Sequence, residues 1–169
     1  MNGPTIILYK PQIPPNTGNI SRLCVGLKAS LVLIKPAFNV DEASVKRAGL
    51  DHWSELQLQV FGTMKECYQS FSQKRWPAIT KEGKHNLFDF SFDADDLLVF
   101  GNETMGLPPR AISGCDQSVR IPMWGEVRSL NLANAVSVVS YEYMRQLHRE
   151  PEFPPEALKK RTYYQKKET

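Results

Sequence analysis

Residues 5–36 read TIILYKPQIPPNTGNISRLCVGLKASLVLIKP, and this stretch decides the architecture. Thr5–Tyr9 is a short run of β-branched, aliphatic and aromatic residues, the composition of a strand. The segment PQIPPNTG at 11–18 interrupts it as a Pro/Asn/Gly loop. Asn16 or Thr17 is placed to cap a helix. Ile20, Leu23, Cys24 and Leu27 then fall at i, i+3, i+4 and i+7, so one helix face is apolar. SLVLIKP at 30–36 is a second strand, ended by Pro36. Strand, helix and strand in this order predict parallel strands and a right-handed crossover.

The alternation continues downstream. A short helix is expected from about Asp41 to Ala48, with Gly49 placed to stop it. LQLQVF at 56–61 reads as a strand, and TMKE at 63–66 as a capping box opening the next helix. PAITK at 77–81 is a strand, and GKHNLFDFSFDADD at 83–96 reads as loop. LLVFG at 97–101 is almost wholly apolar, as a strand covered by helices on both faces should be. SVRIPM at 118–123 is the last strand. The final helix is expected from about Ser129 to His148, with Leu132, Val136, Val139, Tyr143 and Leu147 as its buried stripe. PEFPPE at 151–156 breaks it. The pattern is one α/β domain with a mostly parallel sheet flanked by helices.

With 169 residues, 41% of them hydrophobic, the chain has globular composition and can bury its own core. No apolar run reaches membrane-span length, and MNGPTIILYK lacks the charged start of a signal peptide. The three cysteines, Cys24, Cys67 and Cys115, are odd in number and none pairs at C-x-x-C spacing. That argues against a disulfide framework or zinc site and fits a reducing cytoplasm. His52, His85 and His148 are scattered, so no metal is expected. The net charge of +3 conceals a tail: residues 158–169 hold five of the 21 Lys+Arg and one of the 18 Asp+Glu, leaving 16 against 17 on the rest. Such a tail either contacts phosphates or is a solvated end.

Three segments carry more small polar residues than turns require. They are PNTGNISR after the first strand, GNETMGLP after Phe100, and MWGEVRSLN after Ile121. Ligands of an open parallel sheet bind beyond the carboxyl ends of its strands, where three such loops can converge. No G-x-G-x-x-G follows the first strand. GNETMG has the outer glycine spacing of a phosphate loop without its Lys-Ser/Thr ending. A dinucleotide, a triphosphate or a flavodoxin-like function is therefore disfavoured. The glycines suit close approach of backbone to a compact ligand, or ordinary turns.

Together, IPPNTGNISRLC, KRAGLDHW, FGNETMGLP and RIPMWGEVRSLNLANAVSVVSYE, in this order across about residues 5–148, resemble the motifs of the SpoU branch of the SPOUT methyltransferases. The resemblance is greatest to the small single-domain tRNA 2′-O-methyltransferases of the TrmL (YibK-like) group. It implies a parallel sheet whose C-terminal part is threaded as a trefoil knot. It also implies S-adenosylmethionine (AdoMet) held by Ile79, Gly101, Ile121, Met123, Ser129 and Leu130, largely through backbone groups. Residues 1–150 would be the methyltransferase domain and 151–169 a basic extension. The implied reaction is 2′-O-methylation of the wobble nucleotide, cytidine or modified uridine 34, in the anticodon stem-loop of tRNA, with tRNA-Leu the expected substrate. Another tRNA position, ribosomal RNA, or RNA binding without turnover are the alternatives. The group implies a cytoplasmic homodimer.

Catalytic roles carried over by the resemblance fall on Arg22, Asn16, Glu103, Ser129 and Asn131. Arg22 lies off the apolar stripe of its helix. A guanidinium keeps its proton near neutral pH, so it suits gripping a phosphate and stabilising a developing alkoxide rather than acting as a base. Asn16 and Ser129 can also be helix caps. Asn131 is expected inside the first turn, where its polarity asks for a partner other than a cap. Glu103 can orient donors near the ribose. Trp124 either stacks on a base or packs at a subunit interface. Lys46 and Arg47 are helix C-terminal charges or part of an RNA surface.

Overall fold

The computed structural model describes residues 3–40 and 53–147. The expected helix at 41–48, Lys46, Arg47, Gly49, His52, His148 and the basic tail lie outside the described residues.

The described residues form seven strands: β1 (Thr5–Tyr9), β2 (Ser30–Ile34), β3 (Gln57–Phe61), β4 (Pro77–Ile79), β5 (His85–Asn86), β6 (Leu97–Phe100) and β7 (Gln117–Arg120). They form one sheet in the order β3-β2-β1-β6-β4-β7-β5, and every recorded pairing is parallel. Among the described residues four helices accompany them: α1 (Pro14–Leu27), α2 (Met64–Ser70), the single turn α3 (Pro109–Ile112) and α4 (Leu132–Leu147). Short 3-10 turns cover Trp53–Glu55 and Leu87–Asp89.

Both faces of the central strands are buried, which explains their unbroken apolar runs. Ile6, Leu8, Leu31, Leu33, Leu98 and Phe100 point to one face, where Ile20 and Cys24 of α1 and Val136, Val139 and Tyr143 of α4 complete the core. Ile7, Val32, Ile34, Leu97 and Val99 point to the other, with Cys67 of α2, Trp76, Leu107 and Ala111. The stripe expected on the last helix is the observed one, with Leu147 half-buried at its end.

Several expectations need correction. α1 begins at Pro14, upstream of both proposed caps. Its flanking residue is Ile13, and no side chain of its own segment caps it. Prolines at the first helical positions have no N–H to satisfy, so a cap is less needed. Asn16 and Thr17 are instead buried inside the first turn. β4 ends at Ile79 and β7 at Arg120, both short of the segments proposed for them. Pro122 cannot donate to a ladder, so the chain leaves the sheet there. The 83–96 segment contains β5, where His85 pairs with Val119 and Asn86 with Arg120. Gly83 permits this approach: a Cβ there would lie 2.2 Å from the Val119 carbonyl carbon. The last helix starts at Leu132, three residues after Ser129, so Ser129 is not its cap. The capping box of α2 forms as read, with Thr63 Oγ1 accepting the Glu66 N–H and Glu66 Oε2 accepting the Thr63 N–H.

Candidate active site

Sheet order puts the carboxyl ends of β1, β6, β4 and β7 side by side. It reverses direction between β1 and β6, the kind of switch point where open α/β sheets bind ligands. The loops that leave three of these ends, those of β1, β6 and β7, are the polar segments.

Glu103, in the loop after β6, reaches the start of α1. Its Oε2 accepts the Gln12 N–H at 2.9 Å and its Oε1 accepts the Ile13 N–H at 3.0 Å. Oε1 also accepts Asn16 Nδ2–H at 3.0 Å. Glu103 thus ties down the two residues that lead into α1 and the side chain of Asn16 in its first turn, without bonding the helix's own backbone N–H groups. Partial burial opposes ionisation of Glu103, but the hydrogen bonds from Asn16, Gln12 and Ile13 outweigh it and hold the carboxyl below its usual range.

Asn16 passes the connection on. Its Oδ1 accepts Asn131 Nδ2–H at 3.1 Å, and Asn131 Oδ1 accepts the Ala133 N–H at 2.9 Å. The Asn131 carbonyl accepts the Ala135 N–H, so Asn131 is the cap of α4. This corrects the expectation that it needs no capping role. Its amide does both jobs at once, because the oxygen faces α4 and the nitrogen faces Asn16. Loops after β1, β6 and β7 are therefore joined by one relay, Glu103–Asn16–Asn131.

Beside the relay lies a cleft of about 250 Å³. Ile79, Ile121, Met123 and Leu130 supply apolar walls, Ser129 lies on its lining, and Lys81, Arg120 and Arg128 are cations around it. The backbone N–H and carbonyl groups of residues 123–130 make no hydrogen bond with any described residue. Five of the six residues expected to hold a cofactor meet here. Gly101 does not line the cleft. A Cβ on it would lie 2.0 Å from the Gly106 carbonyl carbon and 2.2 Å from Leu107 N, so glycine is required for the 102–106 turn to fold back. Register still puts it near, since Phe100 pairs with Ile79.

Arg22 is exposed on α1, and its guanidinium bonds to no described residue. The fold does not bring it into the relay of its own chain. Trp124 is 86% exposed and stacks at 6.5 Å on Phe88, itself half exposed. Phe88 had no signal in the sequence beyond an apolar residue in a loop. His85 is exposed and bonded to Gln117. Burial pushes the Cys24 and Cys67 thiols up to about 12, which leaves them protonated at neutral pH. Among the described residues no group of three His, Cys, Asp or Glu is arranged to hold a metal, and no helix is long and apolar enough to cross a membrane.

The model of the SpoU rRNA methylase family matches residues 3–141. The chain belongs to that family. This SpoU methylase is 41% identical over 145 residues to the tRNA (cytidine(34)-2′-O)-methyltransferase of Escherichia coli K12, covering 84% of this chain and 92% of that one. The enzyme of the same name from Yersinia pestis is 44% identical over 156 residues, covering 84% and 93%. Among solved structures, one reported as structural insight into the 2-OH methylation of C/U34 on tRNA superposes with a TM-score of 0.81 at 37% identity, covering 86% and 97%. The SpoU methyltransferase AviRb of Streptomyces viridochromogenes, solved with AdoMet, gives 0.75 at 30% identity, covering 86% of this chain and 60% of that one.

Proposed function

We propose that this SpoU methylase transfers a methyl group from AdoMet to the ribose 2′-hydroxyl of the wobble nucleotide, position 34, of tRNA. The observation that carries the reading is the Glu103–Asn16–Asn131 relay, which closes three loops around the edge of an apolar cleft. The names of the relatives supply the substrate, and tRNA-Leu is the expected acceptor.

The cleft suits AdoMet. Its apolar walls match an adenine ring, and the unpaired backbone of residues 123–130 offers the donors and acceptors that a base edge and a carboxylate need. We assign Ile79, Ile121, Met123, Ser129 and Leu130 to that contact, and Gly101 to shaping the neighbouring turn. AdoMet supplies an electrophilic methyl group. The chain must hold the hydroxyl in line, stabilise charge on its oxygen as the proton leaves, and exclude water. Ser129 and Asn131 are close to the cleft and suited to orienting the ribose. Glu103 and Asn16 fix Asn131. Arg22 grips the adjacent phosphate with its fork of donors and stabilises the developing alkoxide.

Because Arg22 lies outside the relay of its own chain, the reading includes a homodimer in which one subunit's Arg22 serves its partner's cleft. It further includes a trefoil knot in the C-terminal part of residues 1–150, for which the backbone-to-backbone approaches at Gly83 and Gly101 are supporting features. The extension 151–169 is read as an RNA-holding tail in a cytoplasmic enzyme.

The test is a map of ribose methylation in total tRNA from a deletion strain, with and without restored protein. Loss of the methyl group at position 34 and its return on complementation are expected. An unchanged position 34 with a lost methyl group elsewhere in tRNA or ribosomal RNA would move the target.

A further inference from the structure

On the face of the sheet opposite α1 and α4 lies a second, larger cleft of about 920 Å³, between α2, α3 and the loop after β6. Tyr9, Tyr68 and Met105 give it aromatic and apolar lining. Among the described residues Lys10, Lys65 and Arg110 are its charged residues, and none of its lining side chains is a carboxylate. All three are exposed, and none forms an ion pair with a described residue. Glu66, the nearest acidic residue in the sequence, is occupied by the Gly62 and Thr63 N–H groups.

Three cations with no acidic partner among the described residues, Lys10 lying 5.3 Å over the Tyr9 ring, surround an aromatic, apolar hollow and favour a ligand that carries both phosphates and flat rings. Single-stranded RNA has that chemistry. The cleft also shares a loop with the active site. Glu103 turns toward α1 and the relay, while its neighbour Asn102, together with Met105 and Gly106, lines this cleft. Met105 is 80% exposed at its rim. Lys10 sits at the end of β1 with φ 51°, a left-handed conformation that a non-glycine residue adopts at some cost.

We propose that this cleft binds nucleotides of the RNA substrate that flank the methylated one, stacking a base on Tyr9, Tyr68 or Met105 and holding phosphates with Lys10, Lys65 and Arg110. The proposal rests on the reading of the chain as an RNA methyltransferase and adds a subsite on the other side of the 101–108 loop. It gives a small domain a longer grip on the loop strand of the RNA than the relay and the first cleft provide.

The experiment compares the full-length protein with a Lys10→Ala/Lys65→Ala/Arg110→Ala variant. AdoMet affinity by calorimetry and the thermal melt serve as checks that the variant is folded. Each lost single-strand phosphate contact removes about 0.7 from the slope of log affinity against log salt, so the three together should flatten it by about 2. Affinity for tRNA should fall roughly tenfold to a hundredfold at moderate salt. A photoreactive residue replacing Met105 should crosslink to a nucleotide other than the one methylated. A folded variant with unchanged tRNA affinity and slope would overturn the proposal, as would crosslinks that join two protein chains and no RNA. Failure of the functional reading looks different: RNA would bind in a salt-dependent way through this cleft while the ribose at position 34 stays unmethylated by the wild-type protein.

Discussion

Glu103 and Asn16 meet at 3.0 Å across 87 residues of sequence, and the carboxylate completes the contact by accepting the Gln12 and Ile13 N–H groups. One side chain thus both fixes the entry into α1 and orients the amide that bonds Asn131. Glu103→Gln places an NH₂ where a carboxylate oxygen accepts donors. The expected loss is about 1–3 kcal/mol of stability, the range for hydrogen bonds to a charged group. Because the folded carboxyl sits below its usual range, its contribution is complete above the unfolded value of about 4.3 and is lost as pH falls through the lower folded value. Melts of wild type and Glu103→Gln should therefore differ at pH 7 and converge below about pH 4; a constant difference down to pH 3 would remove the charge from the explanation.

Asn16 and Asn131 should be coupled. Asn131→Ala removes a cap, about 1 kcal/mol, and strands the Asn16 oxygen. Asn16→Ala strands Asn131 Nδ2 and removes one of the two donors to Glu103 Oε1. In a double-mutant cycle by urea denaturation, the coupling energy should be about 0.5–1.5 kcal/mol. Strict additivity would mean that the two amides do not share their bond in solution.

Two glycines should respond in opposite directions to the same substitution. Gly101→Ala forces a Cβ to within 2.0 Å of Gly106 backbone and should cost roughly 2–4 kcal/mol. Gly26 lies inside α1 with nothing within 4 Å of its added Cβ. Gly26→Ala should stabilise the protein by about 0.5–1 kcal/mol. Paired thermal melts decide this, and the contrast controls for any general effect of added methyl groups.

Arg22→Ala should leave stability within about 0.5 kcal/mol, as for an exposed residue that bonds no described residue. Its effect belongs to turnover. Single-turnover methylation of tRNA should slow by about 10²–10³, while AdoMet affinity by calorimetry stays the same. Arg22→Lys should recover little, because an ammonium cannot reproduce a two-pronged grip on phosphate. A loss under tenfold, or a matching loss of AdoMet affinity, would take Arg22 out of the reaction.

The βαβ unit of residues 5–36 was legible because a strand period and a helix period abut there with a proline-rich boundary between them. The buried stripe of α4 was legible for the same reason. β5 was not, since two residues carry no period and their pairing with Val119 and Arg120 depends on Gly83. The start of α1 is not legible because it begins at prolines with no side-chain cap and its entry is held by a distant carboxylate, and the start of α4 is displaced because Asn131, read as helical, is its cap. Glu103 acts over about ninety positions, and Asn131 faces two ways. The apolar walls of the first cleft could be assigned by resemblance. The second cleft could not be, because Lys10, Lys65 and Arg110 are brought together by the order of the sheet and not by any spacing along the chain.

The long reach of Glu103 has a consequence for how the chain is made. On a ribosome adding about 5–20 residues per second, Glu103 is polymerised about 4–17 seconds after Asn16. The nascent strand–helix–strand unit must therefore persist for that time without the carboxylate that will finish it. Pro14 and Pro15 ease the wait, since two of the positions that would otherwise present bare N–H groups carry none. When Glu103 and then Asn131 emerge, later parts of the chain lock an earlier one, and the relay closes only once residue 131 has been made.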